Sequence, residues 1–357
     1  MILSCSALVN LNNILLLQSF NIQTMKKMIF SICLLLSLSG FCQDRLLTKK
    51  IIYTISVTDN KVKSSSSGDS IVYDYNVNRR FWWEAMDYIL GEAKNKRLTL
   101  YSDKGDAIVW DTMLNNLSKQ IKNAYGKELK KKEIEVIFEN EIRKIQFEEE
   151  WTYNSSSMLI DKKVIAYCPI ISRDSVALVG EEITTQESFS FPIGWIRPKQ
   201  ANANDTILIC RDLRYTMPIY NSTPYHWWDS NLEAEYSIPY FETFFSQAEN
   251  GKISVYEDPD LVDALKLSNV SKRREYTKNE SIVKSLAENN ISETDTTIKL
   301  KYNSDNIDYL RFGEEIYFDK TNCNFIKNCN YVAPVVRIFA SDNSFIGYYP
   351  IYYVRKR

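Results

Sequence analysis

Apolar and polar positions along this chain follow two rhythms, and the switches between them predict its elements. Residues 50–57 alternate Ile and Tyr with polar residues, the period of a half-buried strand. Residues 80–93 instead gather Phe81, Met86, Ile89 and Leu90 near one helical face, and residues 112–124 do the same with Met113, Leu114, Leu117 and Ile121. Between them Leu98-Thr99-Leu100-Tyr101 reads as a short strand that stops at the turn Asp103-Lys104-Gly105-Asp106. Residues 133–153 read as a long strand with Ile145, Phe147, Glu149, Trp151 and Tyr153 on one side of the pleat. Residues 158–171 return across the turn Asn154-Ser155-Ser156-Ser157 to make an antiparallel hairpin. Pro192 and Pro198 leave the next stretch irregular. The second part predicts a Phe/Tyr-rich helix over 238–247, a strand over 252–256 and a helix over 280–288, then strands over 296–302, 307–318, 331–339 and 346–354. Helices and antiparallel strands alternate unevenly, which is an α+β fold of hairpins with packed amphipathic helices.

The hairpin occurs twice. Residues 142–171 align without a gap on residues 307–336, with six identities. Phe147-x-Glu149-Glu150 becomes Phe312-x-Glu314-Glu315, and Pro169-Ile170-Ile171 becomes Pro334-Val335-Val336. Upstream, Trp82-Trp83-Glu84 is echoed by Trp227-Trp228-Asp229, and Leu98-Thr99-Leu100-Tyr101 by Ile253-Ser254-Val255-Tyr256. Two tandem modules explain this pattern, and two convergent hairpins are the alternative. The chain then divides into an upstream segment with a signal (1–42), a strand and linker (43–70), a first module (71–205) and a second, partly repeated one (206–357).

The N-terminus refines that division. Residues 1–24 carry no charge, and Met25-Lys26-Lys27-Met28 opens a secretion signal whose apolar run covers 29–38. Met25 is the expected start and cleavage after Cys42 the expected end, with lipidation of Cys42 as the rival. The apolar run is short for a membrane span, so the chain reads as exported to the periplasm with no transmembrane span. An oxidising compartment permits a disulfide between Cys323 and Cys329, and two free thiols fit the spacing equally.

Composition removes most enzyme classes. Basic residues number 44 against 45 acidic ones, so the charge suits no nucleic-acid partner. His226 is the only histidine, Gly numbers 10, and there is no G-x-S-x-G or phosphate-loop motif. No catalytic, metal or cofactor residue is predicted, and no enzyme. The run Glu148-Glu149-Glu150 with Glu314-Glu315 reads as a solvated strand face. Partner contact is expected at Trp82, Trp83, Glu149, Trp151, Tyr153, Trp227 and Trp228. A glycan-binding protein using the paired Trp residues as stacking platforms is the second reading.

Several of these motifs resemble the GldN/PorN family of the type IX secretion and gliding-motility machinery. The resemblance lies in Trp83 with Asp87, in the run from Ile142-Arg143-Lys144 to Trp151-Thr152-Tyr153-Asn154, and in Lys162-Lys163-Val164 to Cys168-Pro169-Ile170. It continues in Trp195-Ile196-Arg197-Pro198 and in the helix and strand between Tyr240 and Tyr256, covering about residues 70–260. The family carries Asp where this chain has Asn154, and Asp319 holds the matching place in the second hairpin. The resemblance implies a non-enzymatic periplasmic protein that assembles with an outer-membrane lipoprotein into a ring.

Overall fold

A computed structural model describes residues 44–356, apart from 57–73, 78, 127–132, 135, 138–140, 180–181, 201–204, 220–231, 233, 261, 286–290 and 341–343. The expected signal, the serine run at 64–68, His226, Trp227 and Trp228 lie outside the described residues. The first half runs β1 (Asp44–Ser56), β2 (Asp74–Val77), α1 (Arg79–Lys94), β3 (Leu100–Tyr101), β4 (Ala107–Ile108), α2 (Trp110–Tyr125), β5 (Ile142–Asn154), β6 (Ile160–Val179), β7 (Glu182–Pro192) and β8 (Trp195–Ile196). The second runs β9 (Thr206–Pro218), α3 (Ala234–Glu249), α4 (Leu267–Arg273), β10 (Glu275–Ser285), β11 (Ile291–Lys301), β12 (Tyr309–Asp319), β13 (Asn324–Phe339), β14 (Phe345–Pro350) and β15 (Val354–Arg355). All the described ladders are antiparallel, so the mixed helix and sheet class agrees with the pattern.

Each half builds a three-stranded unit, β1-β5-β6 or β9-β12-β13, and the two share one register. On the hairpins, Phe147–Tyr167, Glu149–Val164 and Trp151–Lys162 become Phe312–Val332, Glu314–Cys329 and Ile316–Lys327. On the outer ladders, Ile55–Ile145, Tyr53–Phe147 and Thr48–Trp151 become Met217–Leu310, Tyr215–Phe312 and Cys210–Ile316. One irregularity of the hairpins matches as well. A bulge follows Glu148 in one hairpin and Gly313 in the other. The closing strands agree too, Ile170–Pro192 with Val335–Pro350 and Tyr167–Ile196 with Val332–Val354. Bulges are placed features of a strand, so shared bulges are a stricter likeness than shared hydrophobic pattern.

The units meet at β6 and β13, through the single pair Lys162–Lys327. Their inner faces pack on each other: the Trp151 and Phe312 rings lie edge to face at 5.3 Å, and Phe147 meets Phe325 at 5.5 Å. Helices cover this core crosswise. α1 turns Trp82, Ala85, Met86, Ile89 and Leu90 inward, and it lies on β9, with Trp82 against Phe325 and Tyr88 against Phe318. α3 turns in Tyr240, Phe241, Phe244 and Phe245 and lies on β1, with Tyr240 against Tyr153. Each helix therefore seats on the unit of the other half.

Four elements depart from the pattern. Residues 280–288 were expected helical, yet β10 pairs along its length with β11. Ile282 and Val283 are β-branched and stand opposite Thr294 and Glu293 in the ladder, so a strand partner overrides a short helical period. Residues 252–256 contribute only the isolated bridge Tyr256–Tyr353. The strand expected over 346–354 breaks after Pro350 and resumes as β15. The strand expected from residue 133 begins at Ile142.

Candidate functional site

The residues expected to meet a partner are mostly interior. Trp82 is buried, and its Nε1 donates to the Ile142 carbonyl at 3.1 Å. Trp83 is half-buried against the core. Glu149, Trp151 and Tyr153 are buried, so none of the three stands on an open surface, and for Glu149, as for Glu314, burial corrects the reading of a solvated strand face. The reason is the pleat. Alternation that sends Glu148 and Glu150 outward sends Glu149 inward with Phe147 and Trp151, and Glu314 follows in the second unit. Cys323 and Cys329 are free thiols, which corrects the possible disulfide. Cys323 sits in the turn and Cys329 well along β13; at about 3.3 Å per strand residue they stand too far apart to bridge.

What the inward glutamates meet is a buried quartet between the units. Lys162 Nζ lies 2.5 Å from Glu314 Oε1, and Lys327 Nζ lies 3.0 Å from Glu149 Oε1 and 3.5 Å from Glu314 Oε2. All four side chains are fully buried. Lys162 donates to the Tyr215 hydroxyl at 2.6 Å, and Lys327 donates to that of Tyr53. Tyr53 in turn donates to Glu149 Oε2 at 2.7 Å, where the Trp151 indole also donates at 2.6 Å. Rings line the cations: Lys162 stands 3.3 Å from the Phe312 centroid, Lys327 4.2 Å from that of Phe147.

Burial and ion pairing act against each other on Lys162 and Glu314. Burial pushes the Glu314 carboxyl up, but the charges of Lys162 and Lys327 outweigh it and hold the group below its ordinary value. Burial draws the Lys162 ammonium down, partly offset by Glu314. Burial also raises the Tyr53 and Tyr215 phenols well above theirs, so both remain hydrogen-bond donors. Two lysines and two glutamates face each other with all four side chains fully buried, an arrangement that suits registering two sheets. Among the described residues no group of His, Cys, Asp and Glu is placed to hold a metal, and no helix is long and apolar enough to cross a membrane.

Sequence reading missed Tyr53, Lys162, Tyr215 and Lys327 as members of one site. The signal was present, since Lys162/Lys327 is one of the six identities in the repeated stretch.

The described surface includes two clefts. One, about 400 Å³, lies between α2 and Phe191, Pro192 and Ile193; the other, about 490 Å³, lies between α4 and Tyr349.

Residues 220–355 match the model of a family described as gliding motility associated protein GldN. The match holds β12 to β15 and therefore the second hairpin, whereas most of the resembling motifs lay in the first half. Comparison with curated proteins and with solved structures found no match.

Proposed function

We propose, from the GldN segment over residues 220–355, that this chain is a non-enzymatic structural component of a gliding-motility or type IX secretion complex. It works by protein–protein contact, in the periplasm close to the outer membrane, with an outer-membrane lipoprotein of the complex as its expected partner and a ring as its expected assembly. The single observation that carries the reading is the family match over the second unit. The shared register supports a further part of it, namely that residues 44–196 and 206–354 descend from one duplicated module. The motifs quoted from the first hairpin then stand in the same structural places as residues inside the match.

Glycan binding is less well supported, because stacking needs exposed indoles and, of the paired tryptophans, Trp82 is interior and Trp83 half-buried, while Trp227 and Trp228 lie outside the described residues. Cross-linking in intact cells followed by mass spectrometry of the purified mature chain tests the assembly reading. Cross-links to envelope proteins of one secretion complex are expected. A chain that cross-links to none of them and is retained on polysaccharide resin would overturn it.

A further inference from the structure

The quartet has a symmetry that a single domain does not need. Glu149 and Glu314 occupy the same register position in the two hairpins, and so do Lys162 and Lys327, Phe147 and Phe312, and the outer-strand residues Tyr53 and Tyr215. Within the quartet, the contacts between the units obey the same exchange. Lys162 of the first unit reaches Glu314, Phe312 and Tyr215 of the second. Lys327 of the second reaches Glu149, Phe147 and Tyr53 of the first. The one backbone pair joining β6 to β13 lies between the two lysines themselves. Where residue i meets j and the equivalent of j meets the equivalent of i, the contact is isologous, the form taken by a two-fold homodimer.

We infer that each unit carries a complete, self-complementary pairing face, whose fitting partner is a second copy of the same module. In this chain the partner is supplied in cis. A lysine and a glutamate on every face make the code: any two faces brought together about the dyad place Lys against Glu twice. Phe and Tyr at the same positions seal both bridges from water. The crossed helices obey the same exchange, each unit lending its helix to the facing one. The inference rests on the two-module part of the reading above and not on the envelope role, so a failure of envelope cross-linking leaves it standing.

Charge reversal within one unit separates this from an ordinary buried ion cluster. In the full chain, Glu149→Lys with Lys162→Glu sets Lys against Lys327 and Glu against Glu314, so the units of one chain repel. Like units from two chains still match, because the reversed face pairs with its own copy and the unchanged face with its own. The double variant is expected to show twice the parent's mass by light scattering. Cross-links between ¹⁴N- and ¹⁵N-labelled chains are then expected to join like halves. Adding Glu314→Lys and Lys327→Glu restores opposite charges within the chain and should return the parent's mass. A double variant that keeps the parent's mass and melting temperature overturns the inference, because the quartet then carries no pairing code. So does a double variant that loses its folded circular dichroism without forming the like-half dimer, whether or not the fourfold variant folds.

Discussion

At the scale of single residues, the two halves differ most informatively where their registers agree. Glu148 faces Ala166 in the first hairpin, while in the second Gly313 faces Tyr331. A Cβ on Gly313 would stand 2.1 Å from the Tyr331 ring, so the large and small members of this cross-strand pair have changed sides. Gly313→Ala is expected to destabilise by about 1–3 kcal/mol through overpacking. Adding Tyr331→Ala should recover part of that loss, and urea denaturation of the double-mutant cycle measures it. The quartet gives the acid response. Glu314 titrates below its ordinary value in the folded chain, so its stabilisation is present above the unfolded carboxylate value and is lost as pH falls through the folded one. Urea midpoints followed downward from pH 6 should therefore fall, and Glu314→Gln should flatten that dependence while costing about 3–5 kcal/mol at neutral pH. The thiols of Cys168 and Cys329 are pushed up to about 12 by burial and that of Cys323 to about 11, so native alkylation should leave all three unmodified. Alkylation in denaturant without reductant should label each of them once; an unlabelled Cys323–Cys329 pair would show a disulfide.

At the scale of elements, legibility followed the range of the deciding interaction. α1 and α2 were readable because their buried residues recur at helical spacing within one window. The hairpin turns were readable for the same local reason: Asn154 Oδ1 accepts from the Ser156 and Ser157 amides at 3.0 and 3.1 Å, and Asp319 Oδ1 accepts from Asn322 at 3.2 Å. Asn and Asp thus do one job at matching turns, and the departure from the family's Asp at Asn154 leaves the turn chemistry intact. Asn154→Asp is expected to change stability by no more than about 0.5 kcal/mol, whereas Asn154→Ala should cost about 1 kcal/mol; thermal melts of the two variants separate the outcomes. Glu149 was misread because its compensation lies far along the chain at Lys327, where no local window reaches. β10 was misread because its neighbour β11, and not its own period, decides its state.

At the scale of the whole molecule, the joined units and crossed helices predict one cooperative transition. Urea unfolding followed by tryptophan fluorescence and by far-UV circular dichroism should coincide, with no half-folded plateau. Two separate transitions would mean that the halves stand alone. The crossing of α1 onto β9 and of α3 onto β1 also bears on how the chain comes to exist. A polypeptide is made from its N-terminus, so α1 is finished well before the strand it seats on has been synthesised. Until then the first half holds bare apolar surface and an unneutralised Glu149 and Lys162, the condition that invites aggregation and chaperone capture. A product truncated before β12 therefore finds no partner within its own chain, and pairing with a second copy of the first unit is the route left to cover that face.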